Sequence, residues 1–256
     1  MAREKLTFTG AMGDALAARL DVPDEGSPRA FVLFAHCFTG SKDIRAAASI
    51  AKALWHRDFA VFRFDFTGLG ESKGDFANTT FSSNVDDLLA AADYLRDHRE
   101  APSVLIGHSL GGAAMLAAAG RIPEAKAVCT IGSPADPQHV EHHFADAREE
   151  ITAAGQAEVI IGGRKFRIKR DFLEDIAAQR MDESIGNLRK ALLIFHSPVD
   201  ETVGIENARH IYEAARHPKS FVTLDGADHM LTARPDADYV AEVISAWANR
   251  YIPAAD

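Results

Sequence analysis

The chain has 256 residues, a formal net charge of −9 at pH 7, 47% hydrophobic and 25% charged residues. A globular chain of this length can bury roughly 70 to 75% of its unfolded surface without staples. The acidic balance argues against nucleic acid and against an anionic membrane, each of which would want a basic face. No run approaches the roughly 18 apolar residues of a spanning helix. The N-terminus, Met1 to Phe8, lacks the apolar core and small-residue cleavage site of a secretory signal. Cys37 and Cys129 lie in separate apolar contexts, so a reducing, cytoplasmic setting is expected.

Taken in order, Leu6–Phe8 and Leu16–Leu20 alternate apolar and polar residues around Gly10–Asp14, which predicts an antiparallel hairpin at one sheet edge. Ala30–Ala35 is a continuous apolar strand followed by a helix over 42–56. Phe59–Phe66 is the next strand, closed by the Gly-rich loop Thr67–Gly74. That loop lacks the Lys-Ser/Thr ending of a phosphate-binding P-loop and the third glycine of a dinucleotide fingerprint. Val85, Leu88, Leu89, Ala92 and Leu95 are spaced as one face of a helix over 84–98. Strands at 103–106, 127–132, 191–196 and 220–224 complete the pattern.

Strands and helices in alternation, with strands apolar throughout, predict an α/β fold: a mostly parallel twisted sheet with helices on both faces. One domain over 1–256 is expected, interrupted at about 133–188 by a cap of helix, hairpin and helix. The hairpin is placed at 157–161 and 165–168 around Gly162-Gly163. Phe144, Ile151, Val159, Ile161, Phe166, Ile168, Phe172 and Leu173 make this insertion apolar, and it is expected to roof the site. The basic cluster Arg164–Arg170 reads as a solvated face, because acidic residues flank it.

The chemistry concentrates at Gly107-His108-Ser109-Leu110-Gly111, between a strand and an Ala-rich helix over 113–119. In a Gly-x-Ser-x-Gly corner the glycines leave room for a projecting hydroxyl. The Leu110 amide, at the positive end of the following helix, favours a developing oxyanion. A serine nucleophile needs a base, and the base needs an acid to orient it. Asp200 stands just past the strand 191–196 and His229 just past the strand 220–224. Asp228 and Glu201 are the competing acids. His36 and His108 are read as structural histidines, and Cys37 as a small buried residue. His139 and His143 are spaced i,i+4 but lack the Glu of a zincin motif, so no metal is expected.

The order Ser109, Asp200, His229, with each residue at the end of its own strand, resembles the triad of α/β-hydrolases. The stretches Ala35–Asp43, Arg63–Gly70 and His217–Phe221 are similar to bacterial esterase and serine-aminopeptidase-like hydrolases often fused to an OsmC-like domain. That second domain is expected to be absent here, since the chain ends soon after the helix containing Trp247. The resemblance implies Phe38 as the second oxyanion amide, with Cys37 the alternative, because His36-Cys37-Phe38 stands where many relatives have His-Gly-Phe. Together these features predict a serine hydrolase cleaving small apolar carboxylic esters on Ser109, alone or as a homodimer, without a cofactor. A thioesterase, peptidase or carbon-carbon hydrolase would share the same residues, and a ligand-binding protein could keep the fold without turnover.

Overall fold

The computed structural model describes residues 2–24 and 26–252. The chain opens with β1 (Ala2–Thr9) and β2 (Ala15–Val22), paired antiparallel, followed by β3 (Ala30–Ala35), α1 (Arg45–Trp55) and β4 (Phe59–Phe64). Then come α2 (Phe81–His98), β5 (Val104–His108), α3 (Leu110–Ala118) and β6 (Ala127–Ile131). The cap holds a 3-10 segment (Pro137–Ala147), α4 (Arg148–Ala154), the hairpin β7 (Gln156–Ile161) and β8 (Arg164–Lys169), α5 (Arg170–Ala178) and α6 (Met181–Gly186). The chain returns through β9 (Ala191–His196), α7 (Glu206–Ala214), β10 (Lys219–Thr223) and α8 (Arg234–Ala248).

Eight of these strands form one sheet, ordered β1-β2-β4-β3-β5-β6-β9-β10, parallel from β4 onward. The central strands are buried on both faces, which is why their sequences are apolar without alternation. The period of two still operates. Val32, Phe34 and Ile106 turn toward α1 and α8, whereas Leu33 and Leu105 turn toward α2 and α3. Burying one such side chain fully contributes about 1.5 to 3 kcal/mol.

Several boundaries differ from the sequence expectation, and buried polar groups explain two of them. The predicted helix over 42–56 begins only at Arg45, and the predicted strand over 59–66 stops at Phe64. Between them the buried Lys42 ammonium meets Asp65 at 2.7 Å and Glu71 at 2.6 Å, and the Lys42 amide donates to Asp65 at 2.6 Å. The Gly-rich loop closes over this carboxylate: a Cβ on Gly70 would stand 2.2 Å from Asp65 Oδ2. Its glycines therefore admit a buried Asp–Lys pair. The helix predicted from residue 84 starts at Phe81, where Thr80 and Ser83 form a capping box. The strand predicted over 103–106 runs to His108, and α3 begins at Leu110 rather than 113, so one residue, Ser109, joins them.

The cap hairpin turns at Gly162 and Gly163, with φ of 57° and 76°, a backbone suited to a two-residue turn. Val159 and Ile161 of β7 and Ile168 of β8 are buried in the same cluster as α2 and α3. Most of the apolar character of the cap therefore anchors it to the body of the protein.

Candidate active site

Ser109 occupies the corner between β5 and α3 at φ 55° and ψ −129°. A non-glycine residue in such a region costs of order 1 to 3 kcal/mol and persists only when its surroundings enforce it. Here the Ser109 amide donates to Ile131 O at 2.8 Å, tying the corner to β6. The glycines are needed for space. A Cβ on Gly107 would lie 2.3 Å from Gly111 O, and one on Gly111 would lie 2.4 Å from His36 O.

Asp200 follows β9 and is largely buried. Its Oδ1 accepts from the amides of Thr202 and Val203, both at 2.9 Å, and its Oδ2 from His229 Nδ1 at 2.7 Å. Burial alone would raise its pKa, but the hydrogen bonds from His229 and these amides hold the carboxyl below its ordinary value. An ionised Asp200 fixes the proton on His229 Nδ1, leaving Nε2 free to accept one. Gly132 completes the packing: a Cβ there would sit 3.2 Å from Asp200 Oδ2 and 3.3 Å from His229 Nδ1. The competing acids lie elsewhere. Asp228 accepts from the Thr232 amide at 3.0 Å and from its hydroxyl, while Glu201 is exposed.

His108 donates from Nε2 to His229 O at 2.7 Å, so it holds the loop that carries His229. Burial, with the neighbouring His229 second, pushes its pKa down to about 4. His36 is buried and donates from Nδ1 to Cys37 O at 2.8 Å. Desolvation also lowers its pKa. Burial raises the Cys37 thiol to about 11, so it is protonated at neutral pH. Neither the Phe38 nor the Leu110 amide has an acceptor among the described residues.

Ser109 and His229 open onto one cleft of about 360 Å³, lined also by Phe38, Ile44, His143, Ile161, Arg164, Thr202 and Met230. A larger groove of about 670 Å³, on α7 and β10 around Ile205, Tyr212 and Phe221, contains none of the candidate residues. Size does not locate the chemistry here, because the described residues lining that groove include no serine, cysteine or histidine.

Residues 26–142 match the family described as serine aminopeptidase, S33. The crystal structure of the esterase domain of a Rhodothermus marinus protein is 48% identical, covers 98% of this chain and 100% of its own, and superposes with a TM-score of 0.80. Mouse α/β-hydrolase domain-containing protein 10 superposes over 96% of this chain and 99% of its own, with a TM-score of 0.78 at 21% identity. The chain belongs to the α/β-hydrolase superfamily. By sequence, mouse palmitoyl-protein thioesterase ABHD10 is 29% identical over 199 residues, 75% of this chain and 65% of that protein. Est1E of Butyrivibrio proteoclasticus, solved with ferulic acid bound, shares the α/β-hydrolase fold at 22% identity, 96% and 99% coverage and a TM-score of 0.79.

Within this hydrolase, the sequence reading missed several cleft residues and misassigned others. Of the eight apolar cap residues expected to roof the site, only Ile161 lines the cleft, while Phe144, Ile151, Val159, Ile168, Phe172 and Leu173 are buried in the main core. Phe166 packs against that core as well. Arg164 is exposed, in keeping with the solvated face expected of the basic cluster, and it also lines the cleft and donates to Thr39 O. His143 stacks on Phe38, their centroids 6.4 Å apart, and His139 donates to Thr202 O at 2.9 Å. Arg164 had no local signal, because its place depends on how the hairpin folds back. Ile44 and Met230 could have been suspected from their nearness to the oxyanion turn and to His229.

Proposed function

We propose that this α/β-hydrolase cleaves small carboxylic esters with an apolar acyl group through an acyl-enzyme on Ser109. The observation that carries the reading is the His229–Asp200 hydrogen bond of 2.7 Å, made by a histidine that shares one cleft with a strained Ser109. His229 Nε2 takes the Ser109 proton as Oγ attacks the carbonyl carbon. The amides of Leu110 and Phe38 receive the oxyanion, each worth roughly 10² to 10³ in rate. Collapse expels the alcohol, which leaves with the proton from His229. Water activated by the same imidazole then releases the acid. The steps need no cofactor. Thioester cleavage is the second reading, supported by the similarity to ABHD10, since the same residues serve either leaving group.

Labelling with a fluorophosphonate tests the proposal. The phosphonyl mass should appear on the peptide containing Ser109, and Ser109→Ala should abolish labelling and lower kcat by at least about 10⁴ while the protein stays folded. Near-normal ester turnover by a folded Ser109→Ala variant would overturn it.

A further inference from the structure

The tip of the cap hairpin brings one cation to the cleft wall. After the turn at Gly162 and Gly163, Arg164 lines the cleft that holds Ser109 and His229. One of its Nη atoms donates to Thr39 O, one residue past Phe38, and its guanidinium lies 5.3 Å from the centroid of the Phe166 ring. The side chain is thus steadied from two directions, and the hydrogen bond occupies only one of its five N–H donors.

Arg164 has no acidic partner among the described residues, as is also so of Lys190 and Lys219, but unlike these it lines the cleft. Its neighbour Lys165 is matched by Glu158 at 2.7 Å. Buried Arg63 is matched by Asp21 at 2.7 Å, and Lys42 by Asp65. No Asp or Glu is among the described residues that line the cleft, and both Asp200 oxygens are already engaged. His143 carries no charge at neutral pH, because burial first and the adjacent histidines second push its pKa down to about 4. Among the described lining residues Arg164 is therefore the one fixed charge, in a chain whose net charge is −9. An acidic protein repels anions over most of its surface, so an unpaired guanidinium in the cleft that holds the nucleophile is suited to receive one. Its planar fork suits a carboxylate in particular.

We infer that Arg164 forms an anion subsite, and that the ester turned over at Ser109 carries a carboxylate or a similar anionic group within reach of it. The inference deepens the proposed hydrolase function and rests on it. An anion on the alcohol side leaves the apolar acyl group of the proposed function in place, whereas one on the acyl side replaces that part of it, and the two are separable by experiment.

Steady-state hydrolysis is measured with neutral 4-nitrophenyl butyrate, with 4-nitrophenyl hydrogen glutarate (anion on the acyl side) and with 3-carboxy-4-nitrophenyl butyrate (anion on the alcohol side). The wild-type protein should favour one anionic ester over the neutral one by about tenfold to a hundredfold in kcat/KM, mainly through KM. The favoured ester shows on which side the anion lies. Raising salt from about 0.05 to 0.5 M should narrow the preference, since screening weakens the ion pair. Arg164→Gln should erase the preference and leave the neutral ester within about threefold of wild type, and Arg164→Lys should retain part of it. Equal kcat/KM for all three esters in the wild-type protein would overturn the inference, whatever the variants do. So would an Arg164→Gln variant that slows neutral and anionic esters alike, since Arg164 would then only clamp the hairpin to the oxyanion turn. Wild-type turnover of the neutral ester, and its loss in Ser109→Ala, tests the hydrolase reading independently of these ratios.

Discussion

The wall of the cleft formed by the sheet and the wall formed by the cap are held in place by different means. On the sheet side, Ser109 is pinned by the hydrogen bond its amide donates to Ile131 O and by glycines that leave no room for a Cβ, and Asp200 receives three hydrogen bonds. On the cap side, Ile161 is anchored by apolar packing, the Gly162 turn has open space around it, and Arg164 reaches across through one hydrogen bond to Thr39. A reacting group must be held within a fraction of an ångström, whereas a recognition group tolerates more play. The first wall is therefore built from backbone and the second from side chains on a turn. On the proposed function, substitutions in the two walls are expected to separate chemistry from selectivity.

Substitutions on each side can break or sharpen that contrast. The largest effect is expected from Asp200→Asn, which keeps the shape but loses the charge that fixes the His229 tautomer. The proposed mechanism predicts a fall of about 10⁴ in kcat, or about 5.5 kcal/mol in the barrier, with little change in melting temperature. A fall below about tenfold would remove Asp200 from its assigned role.

Gly111→Ala comes next, because its new Cβ would meet His36 O at 2.4 Å and Ala35 O at 2.7 Å, both backbone atoms. A loss of about 3 kcal/mol or more is expected in urea unfolding, or no soluble protein at all. A variant as stable as wild type would show that the elbow can shift.

His108 supplies a pH test of similar size. Its folded pKa of about 4 lies below the unfolded value of about 6.5, so between these limits the unfolded chain binds a proton that the folded chain refuses. Its contribution to stability is complete above about pH 6.5 and lost as pH falls toward 4, at most about 3 kcal/mol. His108→Gln should flatten this part of the stability curve relative to wild type. Parallel curves for the two proteins would count against the assignment.

The smallest effect belongs to the cap tip. Gly162→Ala meets nothing within 4 Å and is opposed only by its φ of 57°. A cost of about 1 kcal/mol is expected, with the Ser109 labelling rate unchanged. A large loss of labelling would mean that the cap, too, holds the reacting groups.

The parts legible in the sequence were those governed by local chemistry. Apolar runs placed the central strands to within a residue or two, since a strand buried on both faces has no reason to alternate. The Gly-x-Ser-x-Gly corner was legible because its glycines are demanded by contacts only a few residues away, as with Gly107 against Gly111. Asp200 and His229 were suggested by their places just beyond strand ends, but the hydrogen bond of 2.7 Å that favours Asp200 over Asp228 joins residues 29 positions apart.

Tertiary structure alone decided the remainder. Lys42 looked like the start of a helix, and only the fold shows it buried against Asp65 and Glu71. The apolar residues of the cap looked like a roof, yet hydrophobicity specifies burial without naming the partner, and most of them turned toward the core. Arg164 looked like one cation in a basic run. Composition and periodicity report whether a side chain seeks water or its absence, so they determined the sheet, the elbow and the order of the candidate residues. Which side chains then face one another across the cleft depends on how the insertion folds back over it, a long-range geometry that no local pattern encodes.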